Sequence, residues 1–140
     1  MLKDLKFRLK MNTMSQSILI AEDNDFTALQ YDKILRKYGH QVTITKDGEE
    51  CLRKYEDENK KNKNDYQSPF DVVILDHSMP KKKGKEVASD ILKINPNQRI
   101  IFASAYNVID DKESVDDFEE NFEYLQKPFS LQKFVRQIGN

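Results

Sequence analysis

The stretch Asp71-Val-Val-Ile-Leu-Asp-His-Ser-Met-Pro80 constrains the fold more than any other. Its four consecutive apolar residues, Val72 to Leu75, are mostly β-branched and too few for a helix. They leave no polar face, which predicts a strand over Asp71–Leu75 buried on both sides, as in a parallel sheet covered by helices. The run stops at a carboxylate, Asp76, and Met79-Pro80 then imposes an extended, turn-like path. Open α/β sheets place their ligands at the carboxyl ends of such strands. Taken alone, Asp76 reads as the start of a turn; the other strand ends change that reading.

Ser17–Ala21 is a second run of the same kind, and it ends in Glu22, Asp23 and Asp25 around Asn24. Arg99–Ala103 is a third, followed by Ser104. Glu123–Gln126 is a shorter one, followed by Lys127-Pro128-Phe129. Gln41–Thr45 alternates, with Val42 and Ile44 on one side, as a strand near a sheet edge does. Helical spacing fills the gaps. Ala28, Tyr31, Ile34, Leu35 and Tyr38 share a face before Gly39, a C′ glycine. Asp47 caps a helix that buries Cys51, Leu52 and Tyr55. Val87, Ile91 and Ile94 precede a stop at Asn95-Pro96. Ser130 caps a last helix with Leu131, Phe134, Val135 and Ile138 inward and Gly139 at its end. Glu56 to Gln67 reads as helix overhang and solvated loop, and the acid-rich stretch from 110 to 123 as a short, weakly anchored helix. Strands alternating with helices and joined by right-handed crossovers give an α/β fold: a flavodoxin-like, doubly wound, five-stranded parallel sheet, order 2-1-3-4-5, with helices on both faces.

Size and composition limit the rest. A chain of 140 residues is one domain, with residues 1–16 as a tail and 17–140 as the folded unit. A formal net charge of −1 with 34% charged residues offers no basis for nucleic-acid binding. Cys51 is the only cysteine, consistent with a reducing, cytoplasmic setting, and reads as a small buried hydrophobe. No apolar run is long enough for a membrane span. Leu2, Leu5 and Leu9 among Lys3, Lys6, Arg8 and Lys10 allow a short basic amphipathic helix, although a frayed tail is the plainer reading.

In the 2-1-3-4-5 order, strands 1 and 3 flank the topological switch point. Glu22, Asp23, Asp76, Ser104 and Lys127 would then meet in one shallow cleft. Three carboxylates together call for a hard divalent cation, and oxygen-only ligands favour Mg2+. A lysine and a hydroxyl facing that metal describe a site for a phosphoryl group. His77 reads as a solvent-facing loop side chain, His40 as exposed after a helix-ending glycine, and Lys81 to Lys83 as a solvated charged turn.

This ordered set resembles the receiver domain of two-component response regulators. The matching segments are Ile18-Leu-Ile-Ala-Glu-Asp-Asn-Asp25, Val73-Ile-Leu-Asp-His-Ser-Met-Pro80, Phe102-Ala-Ser-Ala105 and Tyr124-Leu-Gln-Lys-Pro-Phe129. The resemblance implies that Asp76 accepts a phosphoryl group from a sensor histidine kinase or a histidine phosphotransfer protein. It also implies that Mg2+ is held by Glu22, Asp23, Asp76 and the backbone carbonyl of Ser78, with Asp23 binding directly and Glu22 weakly or through water. Lys127 would neutralise the phosphoryl oxygens across a cis bond to Pro128. Ser104 and Tyr124 would form the switch pair that reshapes a protein-interaction surface, and the acids nearby suit a downstream partner with a basic patch. Glu22 stands where Asp is common, Ser104 where Thr is commoner, and the acidic 110–123 stretch departs most from the family pattern. The function expected is that of a single-domain response regulator, catalytic only in assisting its own phosphorylation and dephosphorylation. The alternatives are a phosphorylation-independent binding module of the same fold and a Mg2+-dependent phosphohydrolase with an aspartyl intermediate. The latter usually needs a second acid where Ser78 stands.

Overall fold

The unbroken apolar runs form the strands they predict. The computed structural model describes residues 15–62, 67–77, 79–104, 122–127 and 129–139. Among them the order is β1 (Ser17–Ala21), α1 (Asp25–Lys37), β2 (Gln41–Thr45), α2 (Gly48–Lys61), β3 (Val72–Asp76), α3 (Gly84–Ile94), β4 (Ile100–Ser104), β5 (Phe122–Gln126) and α4 (Leu131–Gly139). The sheet is parallel throughout, in the order β2-β1-β3-β4-β5. β3 and β4 each start and end one residue later than their sequence pattern indicates, because Asp76 still pairs with Ala103 and Ser104 with Gln126. Two groups expected just beyond or at the strand ends are therefore held by the ladder itself.

Strand alternation divides the core into two layers. Leu19, Ala21, Val73, Leu75, Ile100 and Phe102 face Cys51, Tyr55, Val87 and Ile91 of α2 and α3. Ile18, Ile20, Val72, Ile74, Ile101 and Ala103 face Tyr31 and Leu35 of α1 and Phe134 and Ile138 of α4. Cys51 is fully buried, which pushes its thiol up to about 12. Leu131, expected inside, is 38% exposed. The face it would cover is already filled by Phe129, stacked on Phe134 with ring centres 5.6 Å apart.

Caps explain where the helices begin and end. Asn24 Oδ1 accepts from Thr27 N–H at 2.9 Å, and Asp47 Oδ1 from Glu50 N–H at 2.9 Å. Ser130 Oγ accepts from Lys133 N–H at 3.0 Å. At the end of α1, Gly39 takes φ +88°. Its N–H reaches Arg36 O at 3.0 Å and His40 N–H reaches Leu35 O at 3.1 Å, a Schellman motif. Among the described helices α3 is the exception, since its N-cap, Lys83, makes no side-chain cap bond. Lys83→Asp should supply the missing acceptor and complement the helix dipole, stabilising the domain by about 1 kcal/mol. Urea unfolding would show this as a raised midpoint at unchanged slope; an unchanged midpoint would refute it.

The Schellman motif also corrects the expectation for His40. It occupies C″, the position that folds back on the helix, and is only 4% exposed. Its Nδ1 accepts the Gln16 N–H at 3.0 Å, while its buried Nε2 has no hydrogen-bond partner among the described residues. Burial lowers the imidazole pKa, and the Asp71 carboxylate opposes this more weakly. The unfolded chain therefore binds a proton more readily than the folded one. The resulting stability is present above the ordinary histidine range and lost as pH falls through the lowered folded value, with a slope of at most about 1.4 kcal/mol per pH unit. Comparing urea midpoints at neutral and mildly acidic pH in wild type and His40→Leu tests this: the variant should lose that part of the slope.

Candidate functional site

The site lies at the carboxyl edge of the sheet, where β1 and β3 flank the reversal of strand order. The ladder presents Glu22 and Asp23 after β1, Asp76 as the last residue of β3, Ser104 as the last of β4, and Lys127 after β5. Glu22 N–H bonds Thr45 O at 3.0 Å, and Lys127 N–H bonds Ser104 O at 2.7 Å, so backbone bonds aim both side chains. Glu22, Asp23 and Asp76 each bring one carboxylate oxygen within 4.8 Å of the others. Glu22 and Ser104 are buried, Asp76 is half-buried and Asp23 is exposed.

Lys127 is the cation of this cluster. Its Nζ lies 2.7 Å from Glu22 Oε1 and 3.6 Å from Asp76 Oδ2. Three carboxylates around one ammonium leave an excess of negative charge, and hard oxygen donors at this spacing fit a Mg2+ ion. Tyr31 of α1 feels the same field. Its hydroxyl is pushed well above the ordinary tyrosine range, first by burial and then by Glu22 and Asp76.

The loop leaving Asp76 is held tightly. A side-chain carbon at Gly84 would come within 2.5 Å of Asp76 O, and one at Gly48 within 2.1 Å of Lys82 O. Both positions therefore require glycine, and the N-termini of α2 and α3 are pressed against the loop. Sequence reading missed both; the only local signal was a glycine at the start of a helix, which composition does not distinguish. Lys81 has φ +68°, and Lys82 N–H bonds Pro80 O at 2.8 Å, a γ-turn of the strained kind. Lys81 pairs with Asp47 at 3.4 Å, and Lys82 pairs closely with Asp90. The basic turn expected to be merely solvated is thus partly pinned to the two neighbouring helices. His77, expected to face solvent, is half-buried with its ring edge-on to Phe102, centroids 6.3 Å apart.

Tyr124 is half-buried in β5 and stacks on Phe102 with centroids 5.8 Å apart. On the same strand Glu123 makes a two-pronged pair with Arg99, at 2.6 and 2.9 Å, which lowers its carboxyl pKa. The Ser78 carbonyl, the Lys127-Pro128 bond and the acids at 110–120 lie outside the described residues. No helix among the described residues is long and apolar enough to cross a membrane.

A doubly wound parallel sheet with acids, a hydroxyl and a lysine at its switch point defines a class of phosphorylatable signalling domain. The chain belongs to the response regulator receiver domain family, whose model matches residues 18–139. It is 27% identical over 122 residues to Response regulator RR06 of Streptococcus pneumoniae, a match covering 87% of this chain and 51% of that protein. This chain thus spans about half the length of that relative. A response regulator receiver domain protein from Clostridium thermocellum superposes with a TM-score of 0.73 at 27% identity, covering 91% of this chain and 93% of the other. The CheX–CheY–BeF3–Mg2+ complex from Borrelia burgdorferi superposes with a TM-score of 0.70 at 28% identity, covering 87% and 85%.

Proposed function

We propose that Asp76 accepts a phosphoryl group from a phosphohistidine of a sensor kinase or phosphotransfer protein, and that the acyl phosphate then switches a protein-interaction surface. The observation that carries this reading is the convergence on Asp76 of two further carboxylates and the Lys127 ammonium. A carboxylate oxygen of Asp76 would attack phosphorus as the P–N bond to the donor imidazole breaks, and the imidazole would leave with the bonding pair. Lys127 is placed to neutralise the transferred oxygens, and the Ser104 hydroxyl to hydrogen-bond one of them. Glu22, Asp23, Asp76 and the Ser78 carbonyl would hold Mg2+, which when bound supplies charge neutralisation for the transfer. The Borrelia CheY complex, which contains BeF3 and Mg2+, supports the assignment by likeness.

The donor must reach the open face beside Asp23. There α1 exposes Phe26 and Leu29, at 69% and 51%, which offer apolar surface for a donor domain to seat. The output would run from Ser104 to Tyr124. Inward movement of the hydroxyl toward the phosphoryl group would vacate space into which the Tyr124 ring could turn, changing the surface near β5 and α4. The acid-rich 110–123 stretch suits a downstream partner with a basic patch, and the domain would span residues 17–140 and work in the cytoplasm. Incubation with acetyl phosphate and Mg2+ tests the reading: one hydroxylamine-labile phosphoryl group per chain is expected. No incorporation with acetyl phosphate or with any histidine donor would overturn it.

A further inference from the structure

Glu22 stands where its family commonly has the shorter aspartate, and its extra methylene has a visible consequence. The carboxylate is 2% exposed, and both its oxygens are engaged by the protein. Oε1 accepts from Lys127 Nζ at 2.7 Å, and Oε2 accepts from Asn24 N–H at 3.2 Å. Asp76, the proposed acceptor, lies 3.6 Å from the same ammonium, beyond hydrogen-bonding reach. In this state the lysine's hydrogen bond goes to Glu22, while Asp76 holds it only in a longer ion pair. An aspartate at 22 would withdraw its carboxylate by about 1.5 Å, one carbon–carbon bond, and could not hold Lys127 this way.

The same Glu22 carboxylate belongs to the cluster whose oxygens lie within 4.8 Å of one another. An oxygen bonded to an ammonium at 2.7 Å is poorly placed to serve a divalent cation as well, because the two positive charges repel across it. Resting on the acceptor-site reading above, we propose that Glu22 is a latch. It keeps the Lys127 ammonium hydrogen-bonded to itself, with Asp76 only in the longer ion pair, until a divalent cation takes over its charge; Lys127 then turns that hydrogen bond to the phosphoryl group. Removing one partner from a buried ion pair is costly unless another charge replaces it. The latch thus makes metal loading precede lysine delivery. Glu22 acts here as a positioning residue for Lys127, in addition to whatever it offers the metal.

A double-mutant cycle on Mg2+ affinity tests this, with calorimetric titration of magnesium chloride at pH 8 into wild type, Glu22→Gln, Lys127→Met and the double variant. Plain repulsion between lysine and metal would tighten binding by the same factor in both backgrounds when Lys127 is removed. The latch predicts a larger gain in the Glu22 background, by a factor of about three or more, as contacting residues commonly show. A difference below that factor overturns the proposal. A second readout uses only variants that keep the charge. The Lys127 ε-carbon NMR signal should move on Mg2+ addition in wild type and move far less in Glu22→Asp, and equal movement in both would also overturn it. If wild type binds Mg2+ but the cycle is additive, the latch alone fails. If wild type binds no Mg2+, the acceptor-site reading falls with it.

Discussion

Asp76→Asn is expected to abolish phosphoryl incorporation from acetyl phosphate and Mg2+. Asparagine keeps the size and place of Asp76 at the end of β3 but offers no carboxylate oxygen to bond phosphorus. The loss should therefore be complete, while the fold persists, because Val72 to Leu75 anchor the strand from both layers. Lys127→Ala should differ in kind. The nucleophile remains, and only the charge 3.6 Å from it is removed, so labelling should continue about a hundredfold more slowly. Intact-mass measurement over time, with circular dichroism to confirm folding, separates the two outcomes. Full labelling of the Asp76 variant would place the acceptor elsewhere and overturn the proposed function.

Asp23→Asn should lower Mg2+ affinity by at least about a hundredfold, since even outer-shell partners of a bound metal contribute about ten- to a hundredfold. Asp23 is the exposed member of the three-carboxylate cluster, the one best placed to meet an incoming hydrated cation. The sign should reverse without metal: removing one of three crowded like charges relieves repulsion, so the metal-free variant should unfold at a slightly higher urea concentration than wild type. Wild type with Mg2+ at a hundred times its Kd should gain about 2.7 kcal/mol, and the variant at the same concentration far less. Equal Mg2+-dependent gains in both proteins would remove Asp23 from the site.

Some of the site was legible because the relevant signals are local. A strand buried on both faces must be apolar at consecutive positions, so Ile18–Ala21 and Val72–Leu75 announce themselves and place Glu22, Asp23 and Asp76 at their ends. Gly39 and Asp47 mark helix ends for equally local reasons. His40 was misread although a signal existed: the residue after a Schellman glycine folds back onto its helix and is buried with it. Leu131 was misread because helical spacing assigns a face and cannot tell that Phe129 already covers it.

The order of elements, the strands buried on both faces, and the acids, hydroxyl and lysine that end them are written in the local sequence. These follow from periodicity and capping, which act over a few residues. Long-range packing requires Gly48 and Gly84 to lack side chains, draws Lys81 and Lys82 to Asp47 and Asp90, and pairs Lys127 more closely with Glu22 than with Asp76. Glu22 and Lys127 stand 105 residues apart in the chain. The choice between two carboxylates turns on about one ångström of reach, which is set by strand register and side-chain length together.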